Sequence, residues 1–536
     1  MDTRILSGEL KENITYAAEL LRRGEVVAMP TETVYGLAAD AGSEAAVVKI
    51  FAAKGRPQDN PLIVHIADIR QLADICEDIP PQAYALAERF WPGPLTMVLK
   101  KSGSVCGAVT CGLDTVGVRM PAHDVAARLI RACGRPLAAP SANSSGRPSP
   151  TTAAHVLEDM AGKIPCIIDG GACSVGVEST VVDMRGETPV ILRPGAVTEE
   201  MIAAVLGGAA TDGAAEHGLQ NGEQPRSPGM KYRHYAPRAE LTLLEGSPEA
   251  TAEKMRAICG EYDAALCFDE YAEELAKSCG AVFTLGESFD HREHARRLFA
   301  VLRDIDAHGA ERVCVQSPRI YGRNAATVNR LRRACGFKTV RCGEKQIIGV
   351  TGRSGSGKSE FCRELRAWGA EVLDADGIYK ELLEDSAELN AAIAARFPSA
   401  RSTSGIDRVK LAEIVFADGA ERADLNAITH AFVIREMKRR MAAAESGTVV
   451  LDVPLLFESG LDRVCTVTVG MICPDELLLR RITERDGIDE ARARARLAAQ
   501  NGTEYYDRRC DILLENSGDI AALKKKIKAF AAKYTM

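Results

Sequence analysis

The chain has 536 residues, 46% of them hydrophobic and 26% charged, the balance of a globular protein with room for three or four domains at roughly 150 residues each. A net charge of −7 gives no general attraction to nucleic acid or anionic lipid, so any polyanion contact must come from a local patch. None of the sixteen cysteines forms a C-x-x-C pair, the start Met1-Asp2-Thr3-Arg4 lacks the apolar core of a secretory signal, and no apolar run approaches the ~20 residues that span a bilayer; reduced, buried thiols in a cytoplasmic, non-membrane protein are therefore expected.

The first block, residues 1–206, mixes β-rich runs (Val26–Met29, Leu62–Ile66, Thr96–Leu99, Val181–Met184) with helical patterns and is heavily punctuated by Gly and Pro. Pro30-Thr31-Glu32-Thr33-Val34-Tyr35-Gly36-Leu37 follows its first strong strand. Lys54-Gly55-Arg56-Pro57 closes a helix and leads to Asn60-Pro61-Leu62 and His65. Further on stand Val118-Arg119-Met120-Pro121, Pro140-Ser141-Ala142-Asn143, Glu178-Ser179-Thr180 and Leu192-Arg193-Pro194-Gly195. Cations and hydroxyl or amide donors set in Gly/Pro-shaped loops suit an anionic ligand such as a nucleotide phosphate. Singly, Lys54 or Arg56 reads as surface charge and His65 as a structural histidine; the combination carries the signal.

Residues 207–240 form a linker, Gly/Ala/Gln/Glu-rich up to Pro228, that ends in Arg233-His234-Tyr235-Ala236-Pro237. Residues 241–342 alternate short apolar strands (Ala264–Phe268, Arg312–Gln316) with helices (Ala250–Cys259, Glu293–His308), the pattern of a small, Rossmann-like α/β domain with a parallel sheet. His291-Arg292-Glu293-His294 lacks the H-E-x-x-H spacing and reads as a solvated helix face.

The third block, residues 346–536, opens on a buried-strand pattern, Ile347-Ile348-Gly349-Val350. Gly352-Arg353-Ser354-Gly355-Ser356-Gly357-Lys358-Ser359 follows at once and fits G-x-x-x-x-G-K-[ST] at every fixed position. Glycine lets backbone N–H groups converge on phosphate oxygens, Lys358 neutralises the β/γ-phosphates, Ser359 offers its hydroxyl to Mg²⁺, and the next helix turns its positive end to the anion. Apolar strands at Glu371–Leu373, Thr448–Leu451, Val464–Ile472 and Asp511–Leu514 give the order of a doubly wound parallel sheet. The second strand ends Val372-Leu373-Asp374-Ala375-Asp376, which puts two carboxylates beside the nucleotide crevice. Asp376 is placed to take the proton of an acceptor hydroxyl and Asp374 to orient the water shell of the metal; as a lone residue either would read as a helix N-cap.

With Asp374-Ala375-Asp376, Leu451-Asp452-Val453-Pro454-Leu455-Leu456-Phe457-Glu458, Asn426 with His430, Arg481 with Arg485-Asp486-Gly487, and Arg496-Leu497-Ala498-Ala499-Gln500, the third block resembles the dephospho-CoA kinases. The resemblance implies transfer of the ATP γ-phosphoryl group to the ribose 3′-hydroxyl of dephospho-CoA, on a five-stranded parallel P-loop fold with a lid. It implies Asp376 and Lys358 as catalytic; Gly352, Gly355, Ser356, Gly357, Lys358, Ser359, Arg481 and Arg485 as ATP-binding; and Asp374, Asp376, Lys380, Asp452 and His430 as acceptor-binding. Two positions depart from the family. Arg353-Ser354 replaces a small Gly-Ile pair at a variable site, and Lys380 stands where the family carries Arg, which removes a bidentate fork from acceptor binding.

Residues 1–342 resemble the two-domain threonylcarbamoyl-AMP synthases, which condense L-threonine, bicarbonate and ATP into threonylcarbamoyl-adenylate with release of pyrophosphate; another enzyme passes the carbamoyl group to an adenosine in tRNA. The resemblance implies an α+β catalytic domain with a twisted mixed sheet. It implies Lys54 and Arg56 as catalytic, with Ser141 and Asn143, around the triphosphate and reacting carbonyl; Thr115, Arg193 and Tyr235 near the nucleotide; and Thr31, His65, Arg119 and Ser179 around threonine. It also implies that the linker closes over the pocket. The competing readings are a non-catalytic RNA-binding module in the first block and another P-loop small-molecule kinase, such as a nucleoside kinase, in the third. Two independent active sites are expected, with tRNA or a downstream threonylcarbamoyl-transfer enzyme as possible partners.

Overall fold

The computed structural model describes residues 2–213, 235–402, 405–417 and 419–535. They divide into two compact units, Met1–Glu245 with Thr251–Arg341, and Gly246–Ala250 with Cys342–Met536.

In the first unit a 12-stranded mixed sheet runs in the spatial order Arg4–Ser7, Cys166–Asp169, Val27–Met29, Gly36–Asp40, Leu137–Ala138, Ile63–His65, Thr115–Arg119, Leu95–Lys101, Thr180–Asp183, Val190–Arg193, Ala210–Thr211, with Cys76–Glu77 paired to Leu95–Lys101. Successive strand residues point to opposite faces, and the sequence fills both faces with apolar groups. Ala28, Leu37 and Ala39 join Ile50 and Phe51 of the helix Glu44–Lys54 on one side. Val27, Met29 and Ala38 join Leu21 and Leu129 of the helices Lys11–Arg22 and Asp124–Cys133 on the other. Coverage of both faces explains why these strands read as continuous apolar runs rather than alternating ones.

The smaller sheet of the same unit has five parallel strands in the order Ala281–Thr284, Ala264–Cys267, Arg312–Gln316, Glu240–Glu245, Thr339–Arg341. The parallel sheet matches the expectation, but the first strand in the chain pairs with the fourth and the fifth, whereas the doubly wound order puts the first beside the second. The helix His291–His308 is N-capped by Asp290, whose carboxylate accepts from Glu293 N. Its first turn is not the solvated face expected from the sequence. His294 is fully buried, its ring nitrogens at 2.9 Å from Glu287 O and 3.1 Å from Asn324 Oδ1, and His291 is buried as well. The apolar stripe of Leu298, Phe299, Leu302 and Ile305 carries that turn into the core with it. Among the described residues no group of His, Cys, Asp and Glu side chains is placed to hold a metal ion.

Two arginines of this small domain are buried against the large one. Arg303 donates to Asp159 Oδ2 at 2.7 Å and to Pro148 O at 2.6 Å. Arg330, fully buried, donates to Glu178 Oε2 at 3.0 Å and to Pro194 O at 2.6 Å.

The second unit is built on a five-stranded, all-parallel sheet in the order Glu371–Asp374, Thr448–Asp452, Gln346–Gly352, Val467–Ile472, Ile512–Glu515. The helix Lys358–Ala367 follows the central strand directly, as the phosphate-loop string requires. No helix among the described residues is long and apolar enough to cross a membrane.

Five of the nine histidines, all in the first unit, are held below their ordinary range, with burial as the first cause. His65 and His291 are each pushed down to about 3, and His123, His155 and His294 are lowered. The unfolded chain takes up protons near pH 6.5 while the folded one stays neutral, so this stability is complete above about pH 6.5 and is lost as pH falls toward 3. Chemical denaturation at pH 7 and pH 5 should show the first unit losing stability, at up to about 1.4 kcal/mol per pH unit for each such histidine. The second unit, whose single histidine is His430, should change little; equal losses in both units would contradict the assignment.

Candidate active sites

In the first unit one pocket, about 80 Å³ in volume, is lined by Thr31, His65, Arg119, Ser179, Lys54, Arg56, Ser141, Asn143, Arg193 and Tyr235, together with Glu178 and Arg147. The strand register brings the first group together. His65 and Arg119 are Cα partners at the ends of adjacent parallel strands, which is why the Arg119 charge adds to burial in keeping His65 neutral. Arg119 is itself buried. Its Nη1 donates to Thr33 Oγ1 at 2.8 Å, its Nε donates to Gly93 O at 3.2 Å, and its Nη2 lies 2.7 Å from the buried Glu32 carboxylate. Thr31 Oγ1 is 2.9 Å from Thr33 Oγ1 and donates to Val34 O at 2.7 Å.

Lys54 ends the helix Glu44–Lys54, where Gly55 takes the left-handed conformation (φ 61°) that stops the helix. The helix C-terminus carries partial negative charge, which favours an ammonium there. Lys54 Nζ donates to Ser141 O, to Asn143 O at 2.7 Å and to Asn143 Oδ1 at 3.3 Å. Ser141 Oγ donates to the same Oδ1 at 2.6 Å, and Asn143 Nδ2 donates to Ser144 O and Arg147 O. A bridge between Gly36 and Ser141 fastens this loop to the Thr31–Leu37 segment. Burial, then the neighbouring Arg56, lowers Lys54 well below the usual lysine range. Arg193 donates through Nε and Nη2 to Ser179 O at 3.1 and 2.9 Å, and Nη2 reaches Ser179 Oγ at 3.2 Å.

Thr115 is not brought into this pocket. It opens the strand Thr115–Arg119, so four residues at ~3.3 Å each put it about 13 Å from Arg119. Residues 214–234 of the linker lie outside the described residues, and with them His234. Tyr235 is buried against Phe299 (ring centroids 5.2 Å apart) and lines the pocket.

The second unit carries an open cleft of about 1,020 Å³, lined by Gly352, Gly355, Ser356, Gly357, Lys358, Ser359, Asp374, Asp376, Asp452, Arg481 and Arg485, and further by Arg496, Gln500 and Asn501. Asp374 and Asp452 are Cα partners on adjacent strands, and Asp452 also pairs in register with Val350 of the central strand. The two carboxylates therefore stand side by side above the phosphate loop. Burial, reinforced by Asp374, raises Asp452 against the pull of Lys358. Asp374 caps the helix Ala375–Asp385 by accepting from Asp376 N at 3.0 Å, so it is a cap and a cleft residue at once. Lys358 Nζ donates to Gly352 O at 2.7 Å and Arg353 O at 3.3 Å, and burial lowers it below the usual range.

Gly352 (φ +144°) and Gly357 (φ +105°) allow the loop its path; a Cβ on the first would lie 2.4 Å from Met471 O and on the second 2.5 Å from Asn516 Nδ2. Asn516 Nδ2 in turn donates to Ser356 O at 2.9 Å, and Arg481 reaches Asn516 Oδ1 at 3.3 Å. Arg353, read as an inconsequential variable position, is nearly buried. It pairs with Asp475 and donates to Leu497 O at 3.2 Å, while Ser354 N donates to Gln500 Oε1 and Arg485 donates to Ser354 Oγ. Lys380 and His430 do not line the cleft. Lys380 is exposed one turn beyond Asp376, and His430 lies half-buried in the helix Gly419–Ala443 that packs against Ala375–Asp385 through Val433 and Met437.

Gly357→Ala should lower nucleotide affinity at least tenfold in calorimetric titration, because the new methyl displaces Asn516 from the loop. Unchanged affinity would mean that the loop can move aside.

Residues 19–195 match the family described as "Telomere recombination", residues 197–336 the "Threonylcarbamoyl-AMP synthase, C-terminal domain", and residues 346–522 "Dephospho-CoA kinase". The chain is 46% identical over 338 residues to the threonylcarbamoyl-AMP synthase of Pyrococcus abyssi, covering 61% of this chain and 95% of the relative. It is 39% identical over 183 residues to the dephospho-CoA kinase of Thermobifida fusca, covering 34% of this chain and 92% of the relative. Its fold matches the crystal structure of P. abyssi Sua5 complexed with L-threonine, with a TM-score of 0.60 and 44% identity over 64% of this chain and 99% of that one. The chain belongs to the threonylcarbamoyl-AMP synthase family in its first unit and to the dephospho-CoA kinase family in its second.

Proposed function

We propose that the two clefts run separate ATP-dependent reactions and that their lining residues divide the work as set out below. The protein is a bifunctional enzyme. It forms L-threonylcarbamoyladenylate from L-threonine, bicarbonate and ATP, and it phosphorylates the 3′-hydroxyl of dephospho-CoA with ATP.

At the synthase site Lys54 is the group that meets the triphosphate. Its ammonium is buried among neutral oxygens only, so an entering polyanion supplies the missing negative charge. Arg56 lies beside it, and Ser141 and Asn143 hold the lysine while facing the pocket; Arg193 and Tyr235 flank the nucleotide. Arg119, which shares the pocket lining with Thr31, His65 and Ser179, takes the threonine carboxylate. His65 stays neutral there, so it reads the threonine hydroxyl by a hydrogen bond rather than by charge. Thr31 and Ser179 close that end. The threonine amine adds to bicarbonate with loss of water, and an oxygen of the resulting carbamate attacks the α-phosphorus while pyrophosphate leaves.

At the kinase site Asp376 accepts the proton of the attacking 3′-hydroxyl, and Lys358 with the glycine loop stabilises the charge on the transferring phosphoryl group. Ser359 with Asp374 and Asp452 is a hard oxygen set that fits Mg²⁺ carried in on the triphosphate, with phosphates and water completing its shell; bound there, the ion would neutralise phosphate charge. Arg481 and Arg485 come from the lid helix Asp475–Asp486 and close on the nucleotide. Lys380 and His430 reach the acceptor only if their helices close over the cleft. Transfer of the threonylcarbamoyl group to tRNA falls to a separate partner.

The observation that carries this reading is a pair of lysines, Lys54 and Lys358, each donating to backbone carbonyls at the pocket of its own unit. ATP supplied with threonine and bicarbonate should give pyrophosphate, and ATP with dephospho-CoA should give ADP. Lys54→Ala should abolish only the first and Lys358→Ala only the second, each by on the order of a hundredfold or more. Loss of both activities in either variant would refute two separate sites, and salt-sensitive RNA binding without pyrophosphate release would refute the synthase.

A further inference from the structure

Among the described residues Arg330 is the one fully buried arginine that leaves the small α/β domain to end beside a pocket-lining carboxylate. Its Nε donates to Glu178 Oε2 at 3.0 Å while Ser149 Oγ donates to Glu178 Oε1 at 2.6 Å. Its Nη1 donates to Pro194 O at 2.6 Å, and its guanidinium lies 5.9 Å from the centre of the Tyr235 ring. Glu178 precedes Ser179, and Pro194 follows Arg193. One guanidinium thus grips the two loops that present Ser179 and Arg193 to the pocket.

Those loops already touch. A Cβ on Gly195 would lie 2.2 Å from Thr180 N, so neither loop can shift without the other. Burial works to raise Glu178, yet Arg330 and then Arg193 hold it below the ordinary carboxylate range. Arg193 in turn spends its Nε and Nη2 on Ser179. Without a group that spans Glu178 and Pro194, the loop that carries Arg193 is unheld and Arg193 leaves Ser179, whether or not the Glu178 charge remains.

We infer that Arg330 is a positioning residue of the synthase site: by occupying Glu178 and the Pro194 carbonyl it keeps Arg193 on Ser179, and so gives the small α/β domain a direct part in substrate binding. The inference rests on the synthase reading given above.

The test uses the full chain with threonine-dependent pyrophosphate release as readout. Arg330→Gln should raise the KM for threonine at least tenfold with kcat changed less than threefold, and should lower the melting temperature of the first unit. Adding Glu178→Gln removes the stranded charge, so the melting temperature should recover while the threonine KM stays high. Arg330→Lys keeps a charge but cannot grip both loops, and should raise the KM with the melting temperature near that of the unchanged protein. A KM that returns with the melting temperature in the double variant, or a folded Arg330→Lys with normal KM, would show that Arg330 only packs the domains together. Absence of threonine-dependent pyrophosphate release from the unsubstituted chain would remove the synthase reading, and this inference with it.

Discussion

Lys54 is buried and Lys358 half-buried, and each directs its ammonium to neutral oxygens, Ser141 O and Asn143 O for the first and Gly352 O and Arg353 O for the second. Among the described residues neither has a carboxylate within ion-pair distance. An ammonium so placed has lost water without a carboxylate in direct contact, which costs several kcal/mol, and burial is the first cause that holds both below the ordinary lysine range. The rest of each unit makes that arrangement tolerable. Two or three carbonyls converge on each nitrogen, and the loops that carry those carbonyls are fastened from outside, by Gly36 at Ser141 and by Asn516 at Ser356. Each ammonium is thereby held at the pocket that its loop lines.

Fastening depends on where the strands end. In the second unit the register sets Asp374 beside Asp452 and Asp452 beside Val350, so the carboxylates and the phosphate loop rise from three neighbouring strands of one rigid sheet. In the first unit the register of His65 with Arg119 does the same for one part of the pocket lining. A one-residue slip in either sheet would turn these side chains to the opposite face, so the apolar alternation that fixes register in the cores also fixes the distances in the sites. Packing and chemistry are therefore set by one pattern.

That linkage explains what could be read from the sequence. The phosphate loop was legible because its members are consecutive and each is dictated by local backbone geometry; the same holds for Asp374 and Asp376 at a strand end and for the Lys54-Gly55-Arg56 helix stop. Most residues named for the first pocket came together as expected. Thr115, Lys380 and His430 fell outside because a position in a motif string does not say toward which end of a strand, or which side of a helix, a cleft opens. Arg353 was passed over because its partners, Asp475 and Leu497, lie 122 and 144 residues away. The burial of His291 and His294 went unseen for a related reason: Asn324, which receives His294, is 30 residues further on. Contacts of that span leave no periodicity to read.

The same consideration bears on why two activities can share one chain. The synthase pocket is assembled from residues between Thr31 and Tyr235, and the loops behind it are gripped by Arg330, 152 residues beyond Glu178. The kinase cleft is assembled between Gly352 and Tyr506, with Asn516 behind its loop. The Arg330 contacts lie within the first unit and the Asn516 contacts within the second, which the chain joins at Gly246–Ala250 and again from Cys342 onward. Each pocket is thus shaped by contacts of the unit that carries it. Two activities can share one chain because the residues that line one pocket are not those that line the other.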